Sequence, residues 1–184
     1  MNDYGVVTEP TAIRFERVLP GPIERVWSYL TDPEKRGLWF SSGPMELRVG
    51  GNVEHVFNNN RLSKDGDLPP EKYAHHCGEV HMSGRILACE PPRVLAYTFG
   101  SADVGGVASE VRFELTPRGD DVLLVLTHTR LASYDGLISV AGGWHTHLQI
   151  LVDLLNDRAP PSFWSTHTRM ESVYINRIPR HQAP

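Results

Sequence analysis

Residues 22–51 constrain the fold more than any other stretch of this chain. Ile23, Val26, Trp27 and Leu30 recur at i, i+3, i+4 and i+7, which puts one apolar helical stripe against a core. Pro22 opens that helix where no backbone donor is needed. Asp32 then caps a second short helix that begins at Pro33. The aromatic pair Trp39-Phe40 follows, and residues 45–49 run into Gly50-Gly51, which reads as a tight turn between two strands.

The segments around it alternate as strands do. Residues 11–19 place Ile13, Phe15 and Arg17 on one side and Arg14, Glu16 and Val18 on the other, until Pro20-Gly21-Pro22 stops them. Residues 52–57 put Val53, His55 and Phe57 on one face. Residues 79–89 and 94–99 are two strands joined by a turn at 90–93. In 109–116, Val111, Phe113 and Leu115 alternate with Glu110, Arg112 and Glu114, as in a half-buried antiparallel strand. A turn at 118–121 leads into 122–130, which is apolar on both faces at first. The path is a meander without a parallel crossover.

Residues 137–156 are the longest helix candidate, with Leu137, Ala141, Trp144, Leu148, Leu151 and Leu155 in one continuous stripe. Gly142-Gly143 costs this helix roughly 1 kcal/mol per glycine, and the usual return is close approach of the backbone to a neighbour. Pro160-Pro161 ends the element. A shorter helix over 163–177 lays Phe163, His167, Met170 and Tyr174 back on the molecule. Residues 58–78 are polar and irregular. A connection that long inside a hairpin reads as an insertion of the lid or binding-loop kind.

Three pieces resemble a known group: the first helix through Gly51, the hairpin over 84–99 with Pro91-Pro92 at its turn, and Gly143-Trp144 with Leu148. They resemble START-like domains of the SRPBCC superfamily. The specific group is similar to the C-terminal domain of the activator of the ninety-kilodalton heat-shock chaperone's ATPase. The resemblance covers residues 11–158 and implies an α+β helix-grip fold. In that fold a curved antiparallel sheet wraps a long C-terminal helix, with two short helices after the first strand. The implied organisation is one domain over 1–184, with its core at 11–158, the loop at 58–78, and a C-terminal extension at 159–184.

The resemblance also implies a cavity between sheet and helix, with Trp39 and Phe40 at its mouth. Val53, His55, Phe57, Tyr97 and Phe113 would line the sheet side, and Trp144, His147, Leu148 and Leu151 the helix side. An apolar pocket with a few polar groups is how small-molecule sites are built. The alternative is that these residues simply fill the core. His145 and His147 point about 200° apart on a helix and do not share a metal. His147 lies near the inward stripe and reads as a histidine satisfied by a nearby carbonyl, or as an acid–base group in the cavity. His75, His76, Cys77 and His81 lack the paired spacing of zinc sites. Neither a nucleophile elbow nor a phosphate loop is present.

A chain of 184 residues, 40% hydrophobic and 22% charged, is ordinary for a globular protein. Its net charge of −4 argues against a nucleic-acid partner. It has no apolar run of membrane-spanning length and no signal peptide, and two cysteines read as reduced thiols, so the expected location is cytoplasmic. No cofactor or metal is expected. The leading reading is a module that binds a small apolar or amphipathic molecule. A cyclase, dehydratase or hydrolase using His147, His55 or Tyr97 is the second, and a chaperone-ATPase stimulator the third. A homodimer through the sheet face at 122–126 is open.

Overall fold

Alternating segments form a ladder when neighbours exchange backbone donors and acceptors, and here every pairing is antiparallel. A computed structural model describes residues 3–64, 66–76, 78–100 and 107–180, with His75 and His76 described by backbone alone. Among them, seven strands form one sheet. They are β1 (Val6–Glu9), β2 (Ala12–Pro20), β3 (Asn52–Phe57), β4 (Val80–Glu90), β5 (Val94–Phe99), β6 (Ser109–Arg118) and β7 (Asp121–Thr129). Their spatial order is β1-β2-β7-β6-β5-β4-β3.

Register sets the faces. Phe15 pairs with Leu126 and Leu126 with Phe113, so alternate residues of three central strands share the inner face. Ile13, Leu19, Val111, Leu115, Val122 and Leu124 join them there, all buried. The outer face carries the Arg14–Glu16 and Arg112–Glu114 pairs, solvated contacts that contribute little.

The helix α3 (Tyr134–Leu155) packs on the inner face through Leu137, Ala141, Trp144, Leu148, Leu151 and Leu155. Fully burying a leucine stabilises by about 1.5–3 kcal/mol, so this stripe anchors the fold. The result is the α+β helix-grip arrangement. Two short helices, α1 (Ile23–Thr31) and α2 (Pro33–Gly37), follow β2. Asp32 Oδ1 accepts from the backbone nitrogens of Glu34 at 3.0 Å and Lys35 at 2.9 Å, capping α2 as its sequence predicts. The last helix, α4 (Phe163–Arg177), buries Phe163, His167, Met170 and Tyr174.

Several boundaries differ from the sequence reading, β2, β6 and β7 by one or two residues at their ends and others as follows. β1 is additional; three of its four side chains stay exposed, so no apolar alternation marks it. Residues 45–49 are not a strand. Only isolated bridges at Ser42–Val56 and Met45–Val53 reach β3, because Arg48 and Gly51 donate within the loop, to Glu46 O and Arg48 O. α3 starts at Tyr134, earlier than the apolar stripe, because Ser133 Oγ caps it by accepting from Gly136 N at 3.1 Å. β4 runs from Val80 to Glu90, one residue later than expected at both ends.

The 58–78 insertion contains two 3₁₀ turns, Asn59–Leu62 and Glu71–His76. It is pinned to α4 by Asp67, whose carboxylate accepts from Trp164 N at 2.9 Å, Ser165 N at 3.0 Å and Ser162 Oγ at 2.6 Å. Burial pushes the Asp67 carboxyl upward, yet these donors and Ser63 outweigh it and hold the group below the usual carboxylate range.

Candidate functional site

Phe40 enters the interior just after α2 and organises an aromatic cluster. Its ring stacks on Trp144 at 4.7 Å and meets Phe57 and His147 edge-on, each at 5.0 Å. The Trp144 ring is fixed by a relay. Trp144 Nε1 donates to His128 Nδ1 at 2.9 Å, so His128 carries its proton on Nε2 and donates to Ser109 Oγ, also at 2.9 Å. Ser109 Oγ donates in turn to Phe99 O at 2.9 Å. Burial keeps His128 neutral, with its pKa pushed down to about 3.

Beside this cluster lies a cavity of about 280 Å³. Phe57, Val80, Met82 and Phe99 border it from the strands, and Ser139, Val140, Gly143, Trp144 and His147 from α3. Phe163, Trp164 and His167 close it from α4, and Asn59, Tyr73 and Gly78 from the insertion. Hollows of 360 to 400 Å³ elsewhere are larger, but exposed charged residues such as Glu34, Arg61, Arg130 and Asp135 border them.

Of the candidates read from sequence, Phe40, Phe57, Trp144 and His147 come together on this cavity. Trp39, Val53, His55, Tyr97, Phe113, Leu148 and Leu151 are packed in the interior away from its wall. His55 Nδ1 pairs with Ser41 Oγ at 2.7 Å, while its Nε2 is sealed without a partner. Burial first, then the Arg36 charge, push its pKa down to about 3. Tyr97 is 1% exposed, and burial raises its pKa. Neither group faces the cavity. His145 points elsewhere, toward Tyr174 Oη at 3.1 Å. His75, His76 and Cys77 lie outside the described side chains, and His81 is exposed. Among the described residues no group of histidine, cysteine and carboxylate side chains could hold a metal ion.

Sequence reasoning expected a lid or binding loop at 58–78 but named no site residue in it or in α4. Tyr73, a tyrosine in a polar loop, was the available signal. Its hydroxyl donates to Glu171 Oε1, and Lys72 Nζ meets Glu171 Oε2 at 2.5 Å. Glu171 is buried, so the insertion carries the counter-charge that a carboxylate on α4 requires. Burial and the Glu171 contact both raise the Tyr73 pKa.

The polar groups at the wall are held in place. His147 Nδ1 donates to Trp39 O at 2.7 Å, and burial pushes its pKa down to about 3, with neighbouring His167 adding to the effect. Trp164 Nε1 donates to Asn60 Oδ1 at 2.7 Å. The site is thus a neutral, aromatic hollow between sheet and helices. No helix among the described residues is long and apolar enough to cross a membrane.

Residues 20–156 match the family described as activator of Hsp90 ATPase homolog 1-like protein. No curated protein matches the chain. Among solved structures, a Bordetella parapertussis protein is 42% identical, with a TM-score of 0.80 over 100% of this chain and 94% of that one. CalU16 from Micromonospora echinospora is 27% identical, with a TM-score of 0.63 over 90% of this chain and 86% of that one. The Aha1 dimer from Colwellia psychrerythraea, 15% identical over 78% of this chain and 95% of that one, shares the fold at a TM-score of 0.59.

Proposed function

We propose that this chain, which belongs to the family of activator of Hsp90 ATPase homolog 1-like proteins, binds a small apolar or amphipathic molecule between its sheet, α3 and α4. The family description names stimulation of a chaperone ATPase, but a shared fold does not carry an activity with it. The cavity carries the reading. Its walls are predominantly aromatic and its polar groups are few, which is the construction of small-molecule sites.

Gly143 supports the same reading. A Cβ there would meet nothing within 4 Å, so the helix bears a glycine beside open volume rather than beside a packed neighbour. Ligand desolvation supplies the affinity, at about 25 cal/mol per Å² of apolar surface buried.

The test is saturation-transfer NMR with 2-methoxynaphthalene, an uncharged arene. Transfer to the arene is expected from the natural chain and is expected to disappear in Gly143→Leu, whose side chain projects into the hollow. Equal transfer from both proteins, or none from the natural chain, would sink the proposal.

A further inference from the structure

Two imidazoles border the same cavity, His147 from α3 and His167 from α4, with Phe163 between them at centroid distances of 4.8 Å and 5.4 Å. Their tautomers are set by what each touches. A backbone carbonyl only accepts, so the contact between His147 Nδ1 and Trp39 O puts the proton on Nδ1. In the neutral ring Nε2 is then a lone-pair acceptor. It has no partner among the described residues and, unlike His55 Nε2, it is not sealed from solvent-sized space.

His167 is 5% exposed, and its Nδ1 is sealed without a hydrogen bond, 4.0 Å from Glu171 Oε2. That carboxylate favours the proton on Nδ1, which leaves the second Nε2 an acceptor as well. Three donors at the wall are already committed, Trp144 Nε1 to His128, Trp164 Nε1 to Asn60 and Tyr73 Oη to Glu171, which leaves the Asn59 amide and the Ser139 hydroxyl as its neutral donors. No lysine or arginine borders the cavity among the described residues.

We infer that the cavity selects an uncharged aromatic molecule carrying a hydroxyl or N–H donor, which it receives at His147 Nε2, and that it rejects anions. The inference rests on the cavity being the binding site proposed above. A carboxylate placed there would meet no cation, and a largely aromatic wall with only two neutral side-chain donors solvates it poorly. Fatty acids and phosphorylated ligands would bury their charge there without a counter-ion, while a hydroxylated arene gains both stacking and one hydrogen bond.

Titration calorimetry on the full chain at neutral pH, with 2-naphthol, 2-methoxynaphthalene and 2-naphthoate, tests this. 2-Naphthol is expected to bind about 3- to 10-fold more tightly than its methyl ether, the range set by one net hydrogen bond. 2-Naphthoate is expected to be the weakest. In His147→Phe the ratio of naphthol to ether falls to about one. Long-range proton–nitrogen NMR gives a reading that needs no variant: His147 Nε2 is unprotonated, and its resonance moves with 2-naphthol and not with the ether. Equal affinities in the natural chain, a preference for 2-naphthoate, or a proton on Nε2 overturns the selectivity and leaves cavity binding standing. Failure of all three arenes to bind overturns both.

Discussion

The Arg36 guanidinium is 1% exposed and faces four backbone carbonyls. Nε donates to Ser41 O at 2.9 Å, and Nη2 to Gly43 O at 2.6 Å, with Ser42 O and Glu54 O each at 3.2 Å. One side chain thus ties the segment carrying Ser41–Gly43 to β3, just beyond the ring of Phe40. A planar fork is needed to reach carbonyls spread in this way, and an ammonium lacks it. Arg36→Lys is therefore expected to lose about 2–4 kcal/mol of stability, read as a fall in the urea midpoint. An unchanged midpoint would mean the carbonyls are satisfied without the fork. Nothing local marks this role, since Lys35 and Arg36 look alike on a short polar helix and only the packed structure buries one of them.

At the scale of elements, the adjacent glycines of α3 have opposite reasons. A Cβ on Gly142 would lie 2.9 Å from Glu171 Cγ and 3.3 Å from Glu171 N, so this glycine lets α3 and α4 touch. Gly142→Ala is expected to destabilise by about 1–3 kcal/mol through overpacking, despite the better helix propensity of alanine. Gly143→Ala meets open volume and is expected to stabilise by about 1 kcal/mol. Thermal unfolding of the two variants checks both, and a shift of the same sign would contradict the division. The insertion behaves as a strap over the cavity. Asp67→Ala removes the group that caps α4 from a distance and is expected to cost about 0.5–2 kcal/mol. Hydrogen exchange should quicken at residues 59–74 and at the first turn of α4. If exchange changed in neither place, the strap would not depend on this carboxylate.

Across the whole molecule, five described histidines are buried with lowered pKa values: His55, His128 and His147 at about 3, His145 at about 4, and His167 lowered as well. Burial is the first cause in each. Unfolding restores an ordinary histidine pKa near 6.5, so below that pH the unfolded chain binds more protons than the folded one. Stability is fully present above about pH 6.5 and falls as the pH drops toward the folded-state values. Each of the four with values of about 3 or 4 contributes a slope of about 1 kcal/mol per pH unit, so about 4 kcal/mol should vanish between pH 6 and pH 5. That is a large share of the roughly 5–15 kcal/mol a folded domain holds, and acid unfolding is expected between about pH 5 and 4. A urea midpoint that stays flat from pH 7 to 5 would show that these rings are not held neutral. Periodicity and turn chemistry, which are local, were enough to read β2 to β7, the capped α2, the stripe of α3 and the extent of α4 from the chain alone. The same stripe brought Trp144 and His147 into view as candidates. What the chain could not disclose was which apolar positions border empty volume and which are packed solid. Val53 and Tyr97 have the same strand alternation as Phe57 and Phe99, and Leu148 shares the helical stripe of Trp144, yet only Phe57, Phe99 and Trp144 meet the hollow. That distinction, like the tautomer of His147 and the pairing of Tyr73 with Glu171, depends on contacts between residues some 100 positions apart. Tertiary structure decides it, because a cavity is a property of how elements fail to fill space between them, and no single element records it.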